Sequence, residues 1–177
     1  MSTTQILIAG FGGQGVLFAG KLIAYKGLIE NKQVSWLPSY GPEMRGGTAN
    51  CSVIISDTPV GSPIIPHPDV LIAMNLPSLK KYENEVVPGG IIIVDSSLIA
   101  EKVEREDVKV FYVPATKMAI DSGYPTLANM ILAGKLMKEC SDIGYNHIED
   151  AVKKVVPPKK AFLIETNLQA IKSGYDF

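Results

Sequence analysis

Short apolar runs alternate along this chain with longer segments whose apolar positions recur every three or four residues. The runs read as strands at residues 5–9, 33–37, 48–55, 70–74, 91–94 and 109–113. Helical period marks residues 13–30, 77–82, 116–121, 126–139, 147–155 and 160–173. Strands such as Ile91-Ile92-Ile93-Val94 lack the polar alternation of a half-wet sheet, so both of their faces must be buried. The pattern predicts a three-layer α/β/α fold. Too few residues separate the second strand from the third for a crossover helix, so that pair is expected to be antiparallel in a mixed, mostly parallel sheet. The first helix carries Val16, Ala19, Gly20, Ile23 and Gly27 on one stripe, where small residues permit close packing. At 177 residues the chain is expected to form one domain over 1–177.

The chain opens strand, glycine turn, helix, a Rossmann-like start in which Gly10-Phe11-Gly12-Gly13-Gln14-Gly15 follows the first strand. Glycines allow the backbone to turn tightly, and free N–H groups at a helix start favour an anion. The spacing fits the G-x-G-x-x-G dinucleotide fingerprint, which also requires an acid at the tip of the second strand to hold a ribose. That acid is missing. Glu30, at the right count, sits in the helix tail, and the second strand ends in Leu37-Pro38-Ser39. A glycine-lined crossing of strand and helix with no ligand accounts for the motif equally well.

Charge narrows the partners. With 17 basic and 18 acidic residues the net charge is −1, which leaves no broad electropositive face for nucleic acid. No apolar stretch is long enough to cross a bilayer, and the first residues carry no basic leader, so a cytoplasmic protein without membrane contact is expected. Cys51 and Cys140 form no C-x-x-C arrangement, and His67 and His147 have no ligand-spaced companions. No metal site is expected, and both cysteines read as small apolar residues.

Residues 39–47, Ser-Tyr-Gly-Pro-Glu-Met-Arg-Gly-Gly, are richer than an ordinary hairpin loop. Arg45 beside Gly46 and Gly47 offers a planar fork of donors for a carboxylate or phosphate, Tyr40 can stack and donate, and Glu43 adds the opposite charge. Alternatively Glu43 and Arg45 pair with neighbours and the glycines serve only the turn. Asn75 and Asp95 stand at strand tips, where open α/β sheets hold ligands but where caps and side-chain turns also form. Asn129, among apolar neighbours, reads as a satisfied buried amide.

The glycine turn with Val16, the Tyr-Gly-Pro-Glu-x-Arg-Gly-Gly loop and Pro68-Asp69-Val70-Leu71-Ile72-Ala73-Met74-Asn75 together resemble the gamma subunit of 2-oxoacid:ferredoxin oxidoreductases. The resemblance spans the chain, including Asn167, Ala170, Gly174 and Tyr175 near its end. It implies a part of an enzyme that converts a 2-oxoacid and coenzyme A to acyl-CoA and carbon dioxide while reducing ferredoxin. By the same resemblance, thiamine diphosphate, magnesium and iron–sulfur clusters belong to companion alpha, beta and delta chains, no cofactor is bound here, and this chain alone is inert. The resemblance assigns no catalytic residue and gives Gly12, Gly13, Gln14, Gly15, Tyr40, Glu43, Arg45, Gly46, Gly47 and Asn75 an interface or coenzyme A-proximal duty. The small subunit of an indolepyruvate ferredoxin oxidoreductase and a free-standing nucleotide-binding module are the alternatives.

Overall fold

A computed structural model describes residues 1–39 and 48–177. Six strands form a single mixed sheet: β1 (Thr3–Phe11), β2 (Gln33–Ser39), β3 (Thr48–Ser56), β4 (Val70–Ala73), β5 (Ile91–Asp95) and β6 (Lys109–Val113), in the order β2-β3-β1-β4-β5-β6. β2 pairs antiparallel with β3 and β3 antiparallel with β1, while β1, β4, β5 and β6 run parallel. The short link between β2 and β3 thus joins an antiparallel pair, as its length requires.

Alternation along each strand sorts the core into two parts. Ile6 and Ile8 of β1, with Val70 and Ile72 of β4, face α1 (Val16–Ile29), α3 (Ala115–Asp121), α4 (Ala128–Glu139), α5 (Ile148–Val155) and α6 (Ile164–Asp176). Leu7, Leu71, Ala73, Ile92 and Val94 point the other way, toward Leu79 of α2 (Leu76–Tyr82) and toward Val86 and Ile99. One face of the sheet is therefore thick with helices, and the other is covered by one short helix and irregular chain.

The five stripe residues of α1 are all buried. A Cβ on Gly20 would lie 2.3 Å from Cys51 Sγ, and one on Gly27 would lie 2.9 Å from Val34 Cγ2, so these glycines let the helix settle onto β3 and β2. On the same face α4 is buried at every position from Ala128 to Met137, sandwiched between the sheet and α6. Over this stretch the helix has no wet side, and the polar residues it buries are paired, Asn129 with Gly15 O and Lys135 with Glu139. Its approach to α6 is made by Gly134 and Gly174: a Cβ on either would fall within 1.9 Å of a backbone oxygen of the other helix, Ile171 O or Ile131 O.

Some boundaries differ from the sequence pattern. α1 begins at Val16 rather than at residue 13, because Gly13 (φ 90°) and Gly15 (φ 76°) adopt left-handed backbone that cannot belong to the helix. His147 (φ 59°) likewise stands before α5 rather than in it. Proline-led 3-10 turns at Pro125–Leu127 and Pro158–Leu163 precede α4 and α6, so the two helices start later than their apolar period.

Candidate functional site

β1 and β4 are parallel neighbours, and their helices leave toward opposite faces, α1 into the thick side and α2 into the thin one. This is the switch point of the sheet, where open α/β folds have their crevice. The glycine turn after β1 and Asn75 after β4 both fall there.

Gln14 closes the turn. Its Oε1 accepts from Phe11 N at 2.6 Å, its Nε2 donates to Met74 O at 3.1 Å, and Met74 N in turn donates to Ala9 O at 2.8 Å. The side chain therefore bolts the tip of β1 to the tip of β4. A Cβ on Gly10 would meet Gln14 Oε1 at 2.6 Å and Met74 Cβ at 2.9 Å, so the bolt fits only over bare backbone. Gly15 is fixed from the other side: Asn129 Nδ2, from α4, donates to Gly15 O at 3.0 Å, and a Cβ on Gly15 would lie 2.3 Å from that nitrogen. Gly13, by contrast, has nothing among the described residues within 4 Å of its missing side chain. A hollow of about 330 Å³ lies alongside, lined by Phe11, Gly12, Gly13, Gly15, Val16, Leu17, Phe18 and Ala49. Among the described residues that line it none is charged, and the backbone N–H groups of the turn are its polar donors.

Asn75 caps α2, its Oδ1 accepting from Ser78 N at 2.8 Å. Asn75 is 2% exposed and Ser78 is fully buried, yet Asn75 Nδ2 and Ser78 Oγ find no hydrogen-bond partner among the described residues. A buried donor left unmade costs roughly 1–3 kcal/mol, so this edge retains unused hydrogen-bonding capacity. Asp95 has none to spare: fully buried, it accepts from Ser97 N at 3.1 Å, Thr116 N at 3.3 Å and Thr116 Oγ1 at 2.6 Å, clamping β5 to the start of α3. Of the two strand-tip residues, both cap, and Asn75 has an atom left over.

The residues expected at Tyr40, Glu43, Arg45, Gly46 and Gly47 lie outside the described residues. Their anchors do not. Thr48 pairs with Phe11 and Ser39 with Asn50, so both ends of the segment meet the sheet beside the glycine turn. The glycine turn and the strand ends that flank residues 40–47 thus share one edge with Asn75.

The remaining candidates are inert. Burial pushes the Cys51 thiol up to about 12, although a hydrogen bond from Trp36 pulls the other way, and burial likewise raises Cys140. Neither supplies a thiolate near neutral pH. Glu30 forms an ion pair with buried Lys26 inside α1 rather than waiting for a ribose. Among the described residues no group of three or more His, Cys, Asp or Glu side chains is placed to hold a metal, and no helix is long and apolar enough to cross a membrane. The contact of Asn129 with the glycine turn was not visible in the sequence, since an amide in an apolar helix gives no hint of a partner 114 residues away.

A mixed α/β sheet with a bolted glycine turn at its switch point defines the class, and comparison with known proteins defines the family. The chain belongs to the pyruvate ferredoxin/flavodoxin oxidoreductase family, whose model matches residues 5–177. It is 33% identical over 175 residues to the 2-oxoglutarate synthase subunit KorC of Methanocaldococcus jannaschii, covering 97% of this chain and 92% of that one. It is 37% identical over 174 residues to the ketoisovalerate oxidoreductase subunit VorA of Methanothermobacter marburgensis, covering 98% of this chain but 36% of the relative. The chain thus spans little more than a third of the VorA proteins it matches. Among solved structures, the gamma subunit of a keto/oxoacid ferredoxin oxidoreductase from Geobacter sulfurreducens superposes with a TM-score of 0.83 at 28% identity, covering 98% of this chain and 96% of that one.

Proposed function

We propose that this chain is the gamma subunit of a multi-subunit 2-oxoacid:ferredoxin oxidoreductase, an assembly that carries out coenzyme A-dependent oxidative decarboxylation of a 2-oxoacid and reduces ferredoxin. The observation that carries the reading is the end-to-end match to subunits of this family, with the glycine turn, Asn75 and the anchors of the 40–47 segment gathered at one edge. The chain acts there as a structural part, without catalytic residues of its own, and it works in the cytoplasm.

Its companions are alpha, beta and delta chains, which bind thiamine diphosphate, magnesium and iron–sulfur clusters. A four-cysteine cluster needs four thiolates, and this sequence has two cysteines, so the residues present do not fit such a group. Thiamine diphosphate supplies the carbanion-stabilising chemistry of decarboxylation when bound to its own chain. What this chain contributes is an edge of defined shape. Gly12 and Gly13 present backbone to a partner or to an anionic part of coenzyme A, and Gln14 and Gly15 hold that backbone in place. Asn75 keeps an unpaired Nδ2 buried just beneath that edge. Tyr40, Glu43, Arg45, Gly46 and Gly47 share that interface or coenzyme A-proximal duty, with the Arg45 guanidinium suited by its chemistry to a phosphate or a partner carboxylate.

Reconstitution tests the reading. The purified chain is expected to show no oxidation of pyruvate, 2-oxoisovalerate or 2-oxoglutarate alone, and to restore one of these activities when added to its companion chains. Turnover by the lone chain, or failure to associate with those chains, sinks the proposal. Arg45→Ala should leave the isolated fold intact while weakening assembly or raising the coenzyme A requirement, because a charged side chain in a segment between strands is expected to add little to core stability.

A further inference from the structure

The sheet ends on one side at β2, and backbone register fixes which of that strand's groups face outward. Asp57 N donates to Ser2 O at 3.0 Å, so odd-numbered residues of β3 bond to β1 and even-numbered ones bond to β2. Because Gln33 pairs with Ser56 and Leu37 with Ser52, the odd-numbered residues of β2 are the ones that bond inward. The N–H and C=O of Val34 and Trp36, and the C=O of Pro38, therefore point off the sheet with no partner among the described residues. Proline fits this edge, since its missing N–H falls on the free side.

Apolar side chains flank the edge on both faces. On one face a hollow of about 250 Å³ lies between α1 and β2, lined by Lys21, Ala24, Tyr25, Leu28, Val34 and Trp36; on the other stands Leu37. Leu28 is 53% exposed, Leu37 40% and Trp36 39%. α1 carries only Lys21 and Lys26 as charged residues, and Lys26 is buried, so the outer face of this helix is nearly as apolar as its inner one. Open edge strands are ordinarily guarded by a charge, and β2 has none. The charges just outside its start, Lys32 and Asp57, are paired with each other.

These features select a second copy of the chain as the occupant. An antiparallel two-fold centred on Trp36, the midpoint of the strand, sets Trp36 opposite the copy's Trp36 and Val34 opposite the copy's Pro38. Both free N–H groups of each strand are then used, Trp36 N donating to the copy's Trp36 O and Val34 N to the copy's Pro38 O. Pro38 needs no acceptor. With no charge in the strand, the operation sets no like charges opposite one another, and the two α1–β2 hollows come to one face of a continuous sheet. We propose that β2 pairs with β2 of a second copy of this chain, joining two six-stranded sheets edge to edge, with Trp36 and Leu28 closing the apolar flank. This contact is separate from the glycine-turn edge and does not depend on the subunit reading.

Sedimentation of the purified chain from low to high micromolar concentration tests the pairing. Trp36 is the only tryptophan, so its emission reports on this contact alone. A reversible dimer is expected, with Trp36 emission shifting to the blue and exchange of the Val34 and Trp36 amides slowing as concentration rises. Leu37→Lys and Leu28→Lys should each raise the dimer dissociation constant by about tenfold. Thermal unfolding of the dilute variants should stay close to that of the unaltered chain, because both side chains are exposed. The pairing is overturned by a chain that stays monomeric throughout, or by a dimer whose Val34 and Trp36 amides exchange as fast as the monomer's. A dimer that both lysine variants leave within about twofold of normal overturns it too. Protection of these amides only after companion subunits are added gives the edge to those subunits and likewise ends the proposal. None of these outcomes decides the subunit reading, which association with the companion chains tests separately.

Discussion

Two places in this molecule depend on glycine, and for opposite reasons. At the α4–α6 crossing, Gly134 and Gly174 have ordinary helical backbone and are needed because two helices touch backbone to backbone. In the turn after β1, Gly13 and Gly15 are needed because the chain takes left-handed angles, and at Gly15 the crowding by Asn129 adds to that need. The crossing is buried and serves stability alone. The turn stands at the switch point of the sheet, where its geometry decides what backbone is offered outward. Glycine alone therefore says little about function; the distinction lies in φ and in what surrounds the missing side chain.

Substitution separates the two. Gly134→Ala places a methyl 1.9 Å from Ile171 O, which no rotamer change relieves, so the helices must part. The expected loss is about 3 kcal/mol, larger than the gain of up to about 1 kcal/mol from helix propensity, measured by denaturant unfolding. Adding Gly174→Ala should cost less than its single effect, since the crossing is already open; full additivity would show that the two glycines act independently. Gly15→Ala combines left-handed strain of about 1–2 kcal/mol with displacement of the Asn129 amide, for a total of about 2–3 kcal/mol. Asn129→Ala in the same chain should return part of that loss, and no rescue would place the whole cost in φ.

Gln14→Ala removes two hydrogen bonds between strand tips and should cost about 1–2 kcal/mol in the isolated chain, with the larger consequence in reconstituted activity. Gly13→Ala should cost about 1 kcal/mol of left-handed strain, since no described residue lies within 4 Å. If its effect on assembly exceeds its effect on unfolding, the open space beside Gly13 is partner space. The smallest effect belongs to a surface pair. The Asp57 carboxyl is lowered below its ordinary value, chiefly by its hydrogen bond from Lys32, so its stabilisation is present above the ordinary carboxylate range and disappears as acid titrates the folded form below it. Asp57→Asn should leave the unfolding temperature at neutral pH nearly unchanged and flatten its decline only in strong acid.

Much of the local structure was legible. Ile91-Ile92-Ile93-Val94 declared a strand buried on both faces, the spacing of Val16, Ala19, Gly20, Ile23 and Gly27 declared the packed stripe of α1, and the side-chain turn of Asp95 onto Ser97 N was among its readable uses, although no helix follows it and its bonds to Thr116 come from a distant segment. Less of the site could be read. Gln14 looked available to a ligand, yet it binds Met74 O, a backbone atom that no side-chain pattern announces. Phe162 sat near the start of an apolar period and gave no sign that it would lie outside the helix, exposed.

The sequence by itself determined the alternation of strands and helices, the left-handed glycine turn and the antiparallel return of β3, because periodicity, glycine backbone freedom and loop length act over a few residues. Only the tertiary structure decided that β3 lies between β2 and β1, that five helices crowd one face, and that the glycine turn, Asn75 and the anchors of residues 40–47 share an edge. Strand order is written in backbone hydrogen bonds between distant segments, and those bonds are made by atoms that every residue carries.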